Sequence, residues 1–316
     1  MATASNLTAN EILIRLHRNI ETVIRGKPTA IRHLIAGFVT GGHVLLEDFP
    51  GTGKTTLAKT LALSINARFK RIQFTPDLLP SDVIGISIFD QKTGEFRLHR
   101  GPVFTNILLV DEINRTSPRT QAALLEAMAE KQVSIDGTLH KLEELFFVIA
   151  TQNPVESHGT YPLPEAQMDR FALQLKLGYV DADEEVQILR DQSLRHPIES
   201  VQSCIGIDDI LFLRHEVRQV HITDELQQYI VRLTQATRNR NGVLLGASPR
   251  ASLTLMQTAK TIALFEGRSF VIPEDIHELS GPVIAHRLLL ESQARFSGVT
   301  QLQIVEEILS EIPVPD

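Results

Sequence analysis

Residues 47–56 read Glu-Asp-Phe-Pro-Gly-Thr-Gly-Lys-Thr-Thr, after the apolar run His-Val-Leu-Leu at 43–46 and before a helix-like run at 57–61. Pro50, Gly51, Thr52, Gly53, Lys54, Thr55 and Thr56 therefore lie between a strand and a helix. Gly51 and Gly53 let the backbone curl so that consecutive N–H groups converge on an anion, and the N-terminus of the following helix adds its dipole. Lys54 can reach the terminal phosphates of a nucleoside triphosphate, and the Thr55 hydroxyl can hold Mg²⁺. Asp48 stands where the general phosphate-loop pattern has a glycine. Farther along, Ile-Leu-Leu-Val-Asp-Glu at 107–112 is a buried strand ending in two carboxylates. Asp111 would hold Mg²⁺, usually through water, and Glu112 would polarise the attacking water. A Gly-Lys-Thr alone would serve equally as a surface turn, and two acids after a strand as solvated side chains. Strand, glycine loop, helix and acid pair in this order point instead to nucleotide binding and hydrolysis.

Hydrolysis also needs groups that meet the γ-phosphate and the charge of the transition state. A second apolar run at 145–153 ends in Thr151, Gln152 and Asn153, whose carboxamide can touch the γ-phosphate or orient water. An Asn before a proline is also a plain turn signal. Arg170 and Arg250 are candidates for charge stabilisation, but spacing does not separate them from ordinary solvated arginines.

Elements that position these residues follow from periodicity. Apolar spacing predicts a helix over 7–23, with Thr8 and Asn10 as candidate caps, and another over 31–39 after Gly26. Short apolar runs at 71–74, 107–110, 145–151 and 171–177 alternate with helices such as 120–131, as in a parallel sheet wrapped by helices. Residues 86–88 and 96–98, and residues 133–135 and 139–141 around Asp136-Gly137, read as two inserted β-hairpins. After Gly178 the pattern turns helical, with runs at 186–189, 207–220, 224–237, 248–265 and 273–288. The expected division is therefore an α/β nucleotide-binding domain over 1–180 and an all-α lid over 181–316.

The bulk numbers narrow the class. At 316 residues, two domains are the prior, and 43% hydrophobic content is ordinary for a globular protein. Thirty-one Lys and Arg against 38 Asp and Glu give a formal net charge of −7, which argues against a polyanion as the main partner. Cys204 is the single cysteine, so no intramolecular disulfide is available, and it reads as an inert core thiol. The 11 histidines are scattered without ligand spacing. No apolar stretch reaches membrane-spanning length and the N-terminus lacks a signal-peptide pattern, so the cytoplasm is the expected location, without membrane insertion.

From about Ile20 to Pro315 the chain resembles the MoxR family of AAA+ ATPases. The resemblance rests on Val-Asp-Glu-Ile-Asn-Arg at 110–115, residues 121–136 with Leu-Glu-Ala-Met at 125–128, and Thr-Gln-Asn-Pro at 151–154. It continues through Gly-Thr-Tyr-Pro-Leu-Pro-Glu-Ala-Gln-Met-Asp-Arg-Phe at 159–171 and Gly-Ala-Ser-Pro-Arg-Ala-Ser at 246–252. An acidic residue at the position of Asp48 is familiar in that family, whereas His158 stands where an acidic or amide side chain is more usual. The resemblance implies ATP and Mg²⁺ as cofactors and ATP hydrolysis as the activity. It makes Asn153 the first sensor and Arg170 an arginine finger that reaches a neighbouring subunit's nucleotide. It makes Arg250 the second sensor, folding onto the phosphates of its own subunit. Gly26, within 24–27, resembles the adenine-side contact. A trans-acting finger implies a homo-oligomeric ring, most often a hexamer, and the family's work implies chaperone-like remodelling of protein clients, often with a von Willebrand factor A fold. The two hairpins match that branch's helix-2 and pre-sensor insertions. Three rivals remain at this stage: a nucleic-acid motor, disfavoured by acidity; a low-turnover nucleotide-dependent scaffold, disfavoured by Glu112; and a chelatase-type subunit with similar insertions.

Overall fold

The computed structural model describes residues 7–153, 160–193 and 195–315; Pro154, His158 and Gly159 of the sequence motifs lie outside the described residues. Two helices, α1 (Ala9–Glu21) and α2 (Pro28–Val39), precede the first strand, β1 (His43–Glu47). Thr8 caps α1 through a reciprocal box with Glu11, as its spacing predicts. There follow α3 (Lys54–Ser64), β2 (Phe69–Gln73), α4 (Pro80–Ile84), β3 (Gly85–Asp90), β4 (Glu95–Arg100), β5 (Ile107–Asp111) and α5 (Pro118–Glu130). The strand-containing half is completed by β6 (Gln132–Ile135), β7 (Thr138–Lys141), β8 (Phe147–Gln152), α6 (Glu165–Met168) and β9 (Phe171–Leu175).

Five strands pair in parallel in the order β2-β5-β8-β1-β9. From β1 the chain crosses to the far edge at β2, works back through β5 and β8, and then fills the other side of β1 with β9. The loop after β1 therefore lies at the point where strand order reverses, where open α/β sheets take their ligands. Alternation along each strand serves two cores. Val44, Leu46, Leu109, Ile149 and Leu173 pack with α1, α2 and α3, while Leu45, Leu108, Val110 and Val148 pack with Leu124, Leu125 and Met128 of α5. Both predicted hairpins form: β3 pairs with β4, and β6 with β7 across Asp136-Gly137, both at positive φ.

Beyond β9 come α7 (Ala182–Gln192), α8 (Ile207–Gln219), α9 (Asp224–Ala236), β10 (Val243–Leu245), α10 (Pro249–Phe265), α11 (Pro273–Ile284), β11 (Leu289–Leu290), α12 (Ser292–Phe296) and α13 (Gln301–Glu311). The first hydrophobic core continues into this region through Leu213, Tyr229, Leu255, Ile276 and Ile304. Two local expectations are corrected. The helix expected over 273–288 stops at Ile284, close after an internal proline, Pro282, and a tight turn over Ala285–Arg287 aims His286 and Arg287 at β9. A short strand pair, β10 with β11, lies within the helical region. Cys204 is half-buried rather than in the core, a free thiol whose pKa is raised by burial.

His43 is buried at the start of β1, where the Val148 N–H donates to Nδ1 and Nε2 faces the Met128 carbonyl at 3.1 Å. The imidazole is thus neutral with its proton on Nε2, and burial holds its pKa down at about 4. The unfolded chain takes up this proton near pH 6.5 and the folded chain only near 4, so stability should fall as pH drops through that window. The loss should approach about 3 kcal/mol from this residue. Denaturant unfolding of wild type and His43→Gln between pH 7 and 4 checks this: the variant's pH slope should be shallower, and equal slopes would refute the assignment.

Candidate active site

Between Glu47 and Lys54 the backbone turns through two residues in the left-handed region, Gly51 at φ +85° and Gly53 at φ +88°. A side chain at either would be strained by that conformation, since L-residues with Cβ rarely adopt it. Gly53 is the N-cap of α3 and offers no side chain, so the helix's leading amides are left for a ligand. Thr55 and Thr56 stand in the first turn of that helix. The Lys54 ammonium is folded back into the loop, donating to the carbonyls of Asp48 and Phe49, each at 2.7 Å. Partial burial lowers its pKa, an effect opposed by Asp48, Asp111 and Glu112. Those three carboxylates and one amine share a small volume at the carboxyl edge of the sheet.

Asp111 ends β5 with its carboxylate only 6% exposed; Thr151 Oγ1 lies 3.3 Å from Oδ1 and Arg71 Nε donates to Oδ2 at 2.6 Å. Glu112 follows with φ 57° and ψ 53°, a conformation uncommon outside glycine. Its backbone N–H donates to Thr151 Oγ1 at 3.0 Å, and its side chain accepts from Gln73 at 2.7 Å and pairs with Arg115 at 3.1 Å. Thr151 therefore bridges β8 to both acids. Asn153, one residue past β8, is buried at the same edge. The donor set suits Mg²⁺, a hard cation that takes oxygen ligands: the Thr55 hydroxyl in the first turn of α3 and the Asp111 carboxylate at the end of β5.

The remaining predicted residues fall elsewhere. Gly26 lies in the turn between α1 and α2 at φ +65°, where a Cβ would meet Glu184 and Val180. Arg170 immediately precedes β9, whose Phe171 pairs with His43 at the amino end of β1. A strand of this length separates that end from the phosphate loop by roughly 15 Å. Arg250, expected as the second sensor, stands next to Asp169. Its guanidinium sits 3.7 Å from the Asp169 carboxylate and 3.5 Å from the Asp169 carbonyl, beside Arg170 at the amino end of β9. The structure thus groups residues 51–56, Asp111, Glu112 and Asn153 at one end of the sheet, and Arg170 with Arg250 at the other.

Arg71 and Gln73 were not singled out by sequence reasoning, yet they contact the two acids. The available signal is their alternation: both point to one side of β2, the most polar strand of the sheet. Asp169 lies within the 159–171 motif but was given no role there, and Arg287, which pairs with it, carried no motif that separated it from solvated charges.

The profile of the ATPase family associated with various cellular activities (AAA) matches residues 43–173, and that of the AAA lid domain matches residues 235–308. The Bacillus subtilis protein YeaC is 50% identical, over 94% of this chain and 93% of its own. Chaperone MoxR1 of Mycobacterium tuberculosis is 38% identical over 94% of this chain and 80% of its own. A crystal structure of a Cytophaga hutchinsonii protein superposes with a TM-score of 0.90 at 41% identity, covering 98% of this chain and 96% of that one.

Two substitutions separate binding from chemistry at this site. Lys54→Ala should weaken nucleotide affinity at least about tenfold, because it deletes the charge placed for the phosphates. Glu112→Gln should keep affinity and lower turnover by about 10²-fold or more, since it keeps shape and removes the base. Titration with a fluorescent nucleotide alongside a phosphate-release assay checks both; equal loss of binding in the two variants would contradict these roles.

Proposed function

The chain belongs to the MoxR family of AAA+ ATPases, and from that membership and the site's geometry we propose that it hydrolyses ATP to remodel or activate partner proteins. The observation that carries this reading is the convergence of the glycine cradle, Lys54 and the Asp111–Glu112 pair at the switch point of the parallel sheet. Residues 1–180 would form the nucleotide-binding unit and 181–316 the lid.

In this reading the loop amides and Lys54 take the β- and γ-phosphates, which draws the lysine off the loop carbonyls. Thr55 and Asp111 would hold Mg²⁺, which neutralises charge on the phosphate oxygens. Glu112 accepts a proton from the attacking water, and Asn153 orients that water or the γ-phosphate. Glu112 must first leave the Gln73 amide, which holds the same oxygen. Gly26 and its neighbours would flank the base.

Arg170 cannot reach the cradle of its own chain from the amino end of β9, so it would serve a neighbouring subunit. Arg250 shares that end and is held by the same Asp169. We therefore assign both arginines to the neighbour's nucleotide, in place of the second sensor's expected action within its own subunit. This requires an oligomer, for which a hexameric ring in the cytoplasm is the reading adopted. Among the described residues no helix is long and apolar enough to cross a membrane. Relatedness to Chaperone MoxR1 supports a protein client, and we propose one with a von Willebrand factor A domain. The β3–β4 hairpin suits that role. It exposes Ile86, Ile88, Phe89 and Phe96, the last 73% exposed, on a strand pair that belongs to no larger sheet.

Mixing variants tests the trans assignment. Rings combining Arg170→Ala with Glu112→Gln subunits contain sites where an intact Glu112 meets an intact Arg170, and activity should exceed both parents, since such a finger is worth about 10³–10⁵ in rate. Arg250→Ala mixed with Glu112→Gln should also recover. Recovery for Arg170 alone would return Arg250 to its own subunit, and recovery for neither would remove the trans reading.

Replacing residues 90–95 by a short glycine turn tests the hairpin. Basal ATPase should stay within about twofold, as expected of a surface loop that tolerates exchange, while stimulation by the client disappears. Loss of basal activity or of the fold would make the hairpin a structural brace.

A further inference from the structure

Asp48 replaces the first glycine of the general phosphate-loop pattern, and its backbone is not among the described positive-φ residues, so this position asks for no glycine. What the side chain does is plain from its bonds. The carboxylate is 4% exposed; Oδ1 accepts the Phe49 N–H at 2.9 Å, and Oδ2 accepts the N–H groups of Leu177 and Gly178 at 2.6 and 2.7 Å. Short bonds to an ionised acceptor are among the strongest a backbone amide makes. Leu177 and Gly178 follow edge strand β9 and lead directly into α7. Two further contacts fasten the same segment, one to the loop at Phe49 and one to the start of α2 at Lys27. The Phe49 ring stacks on Tyr179 with centroids 5.7 Å apart and planes 5° from parallel, and Lys27 donates to the Tyr179 carbonyl at 2.7 Å.

Lys54 closes the circuit, because it donates to the main-chain carbonyl of Asp48 itself. Phosphate in the cradle would pull that ammonium away and bring negative charge toward the Asp48 carboxylate. Both changes act on the one residue that grips the 177–178 amides. We propose that Asp48 is a positioning residue that couples occupation of the phosphate cradle to the segment entering α7, so that the nucleotide state sets how firmly α7 is held. A glycine at this position would leave the cradle's amides in place and abolish the link. The proposal rests on the nucleotide-binding reading above.

The test uses the full chain, a fluorescent ATP analogue for affinity, and amide hydrogen exchange over residues 175–192 and 51–60 with and without ATP. In wild type, ATP should slow exchange at 51–60 and change it by about tenfold or more at 177–178. Asp48→Gly should bind the analogue within about threefold of wild type and keep protection at 51–60, while most of the nucleotide effect at 175–192 disappears. Its kcat should fall with KM little changed, the pattern of a group that acts after binding. Asp48→Asn, nearly isosteric, should lie between and carries the test if the glycine variant does not fold. An unchanged nucleotide effect at 175–192 in both variants would overturn the coupling. So would loss of affinity as deep as in Lys54→Ala, which would make Asp48 part of the cradle, or failure of both variants to fold, which would make it a structural residue alone. Wild type that binds no nucleotide would instead overturn the ATPase reading.

Discussion

Arg287 is buried where the helical region meets the edge of the sheet, and its guanidinium donates to the Asp169 carboxylate and to the carbonyls of Phe171, Ala172 and Val283. Burial lowers its pKa to about 10, against the pull of Asp169, so it stays charged at neutral pH. A charge in that position needs its partner: removing one member of such a pair typically costs about 3–5 kcal/mol, because the other is left buried and uncompensated. Asp169 also accepts from Ser248 and faces Arg250. One ion pair, buried on its arginine side, therefore sets where the helical region docks on β9 and where α10 presents its leading arginine. Everything inferred about Arg170 and Arg250 depends on that junction.

Much of the α/β half was legible because its strands are short apolar runs that match the period of a sheet buried on both faces. Predicted runs at 107–110 and 171–177 differ from β5 and β9 only at their carboxyl ends. The helical region was legible as helices but not as a packing arrangement. Nothing in the spacing of residues 273–288 revealed that α11 would stop at Ile284 so that His286 and Arg287 could reach β9, because that stop serves a tertiary contact. The glycine loop and the acid pair were visible as contiguous motifs. The roles of Arg71, Gln73 and Asp169 were not, since each acts on a residue far away in sequence and the local pattern around it shows an element or motif but not its partner.

The two carboxylates at the sheet edge are restrained from one strand. Arg71 and Gln73 stand two residues apart on β2, on one face, and reach Asp111 and Glu112 respectively. A guanidinium against Asp111 and an amide against Glu112 each engage one carboxylate oxygen and fix the orientation of the two acids. The same strand leads through α4 into the β3–β4 hairpin. The hairpin is thus joined to the strand that contacts both acids by contiguous backbone.

The separation of the cradle and the arginines to opposite ends of β1 and β9 has a consequence for symmetry. A contact that joins one end of a molecule to the other end of its neighbour is heterologous, so a two-fold dimer cannot satisfy both patches. In the proposed assembly each added subunit would complete one site and leave one unmatched patch at either end, until the series bent round to meet itself. Growth of this kind stops only at closure; an interface angle that fails to close yields an open filament instead. In that assembly the angle of the junction held by Arg287 and Asp169 would bear on stoichiometry as well as on chemistry, because it would set the direction in which each subunit offers its arginines to the next.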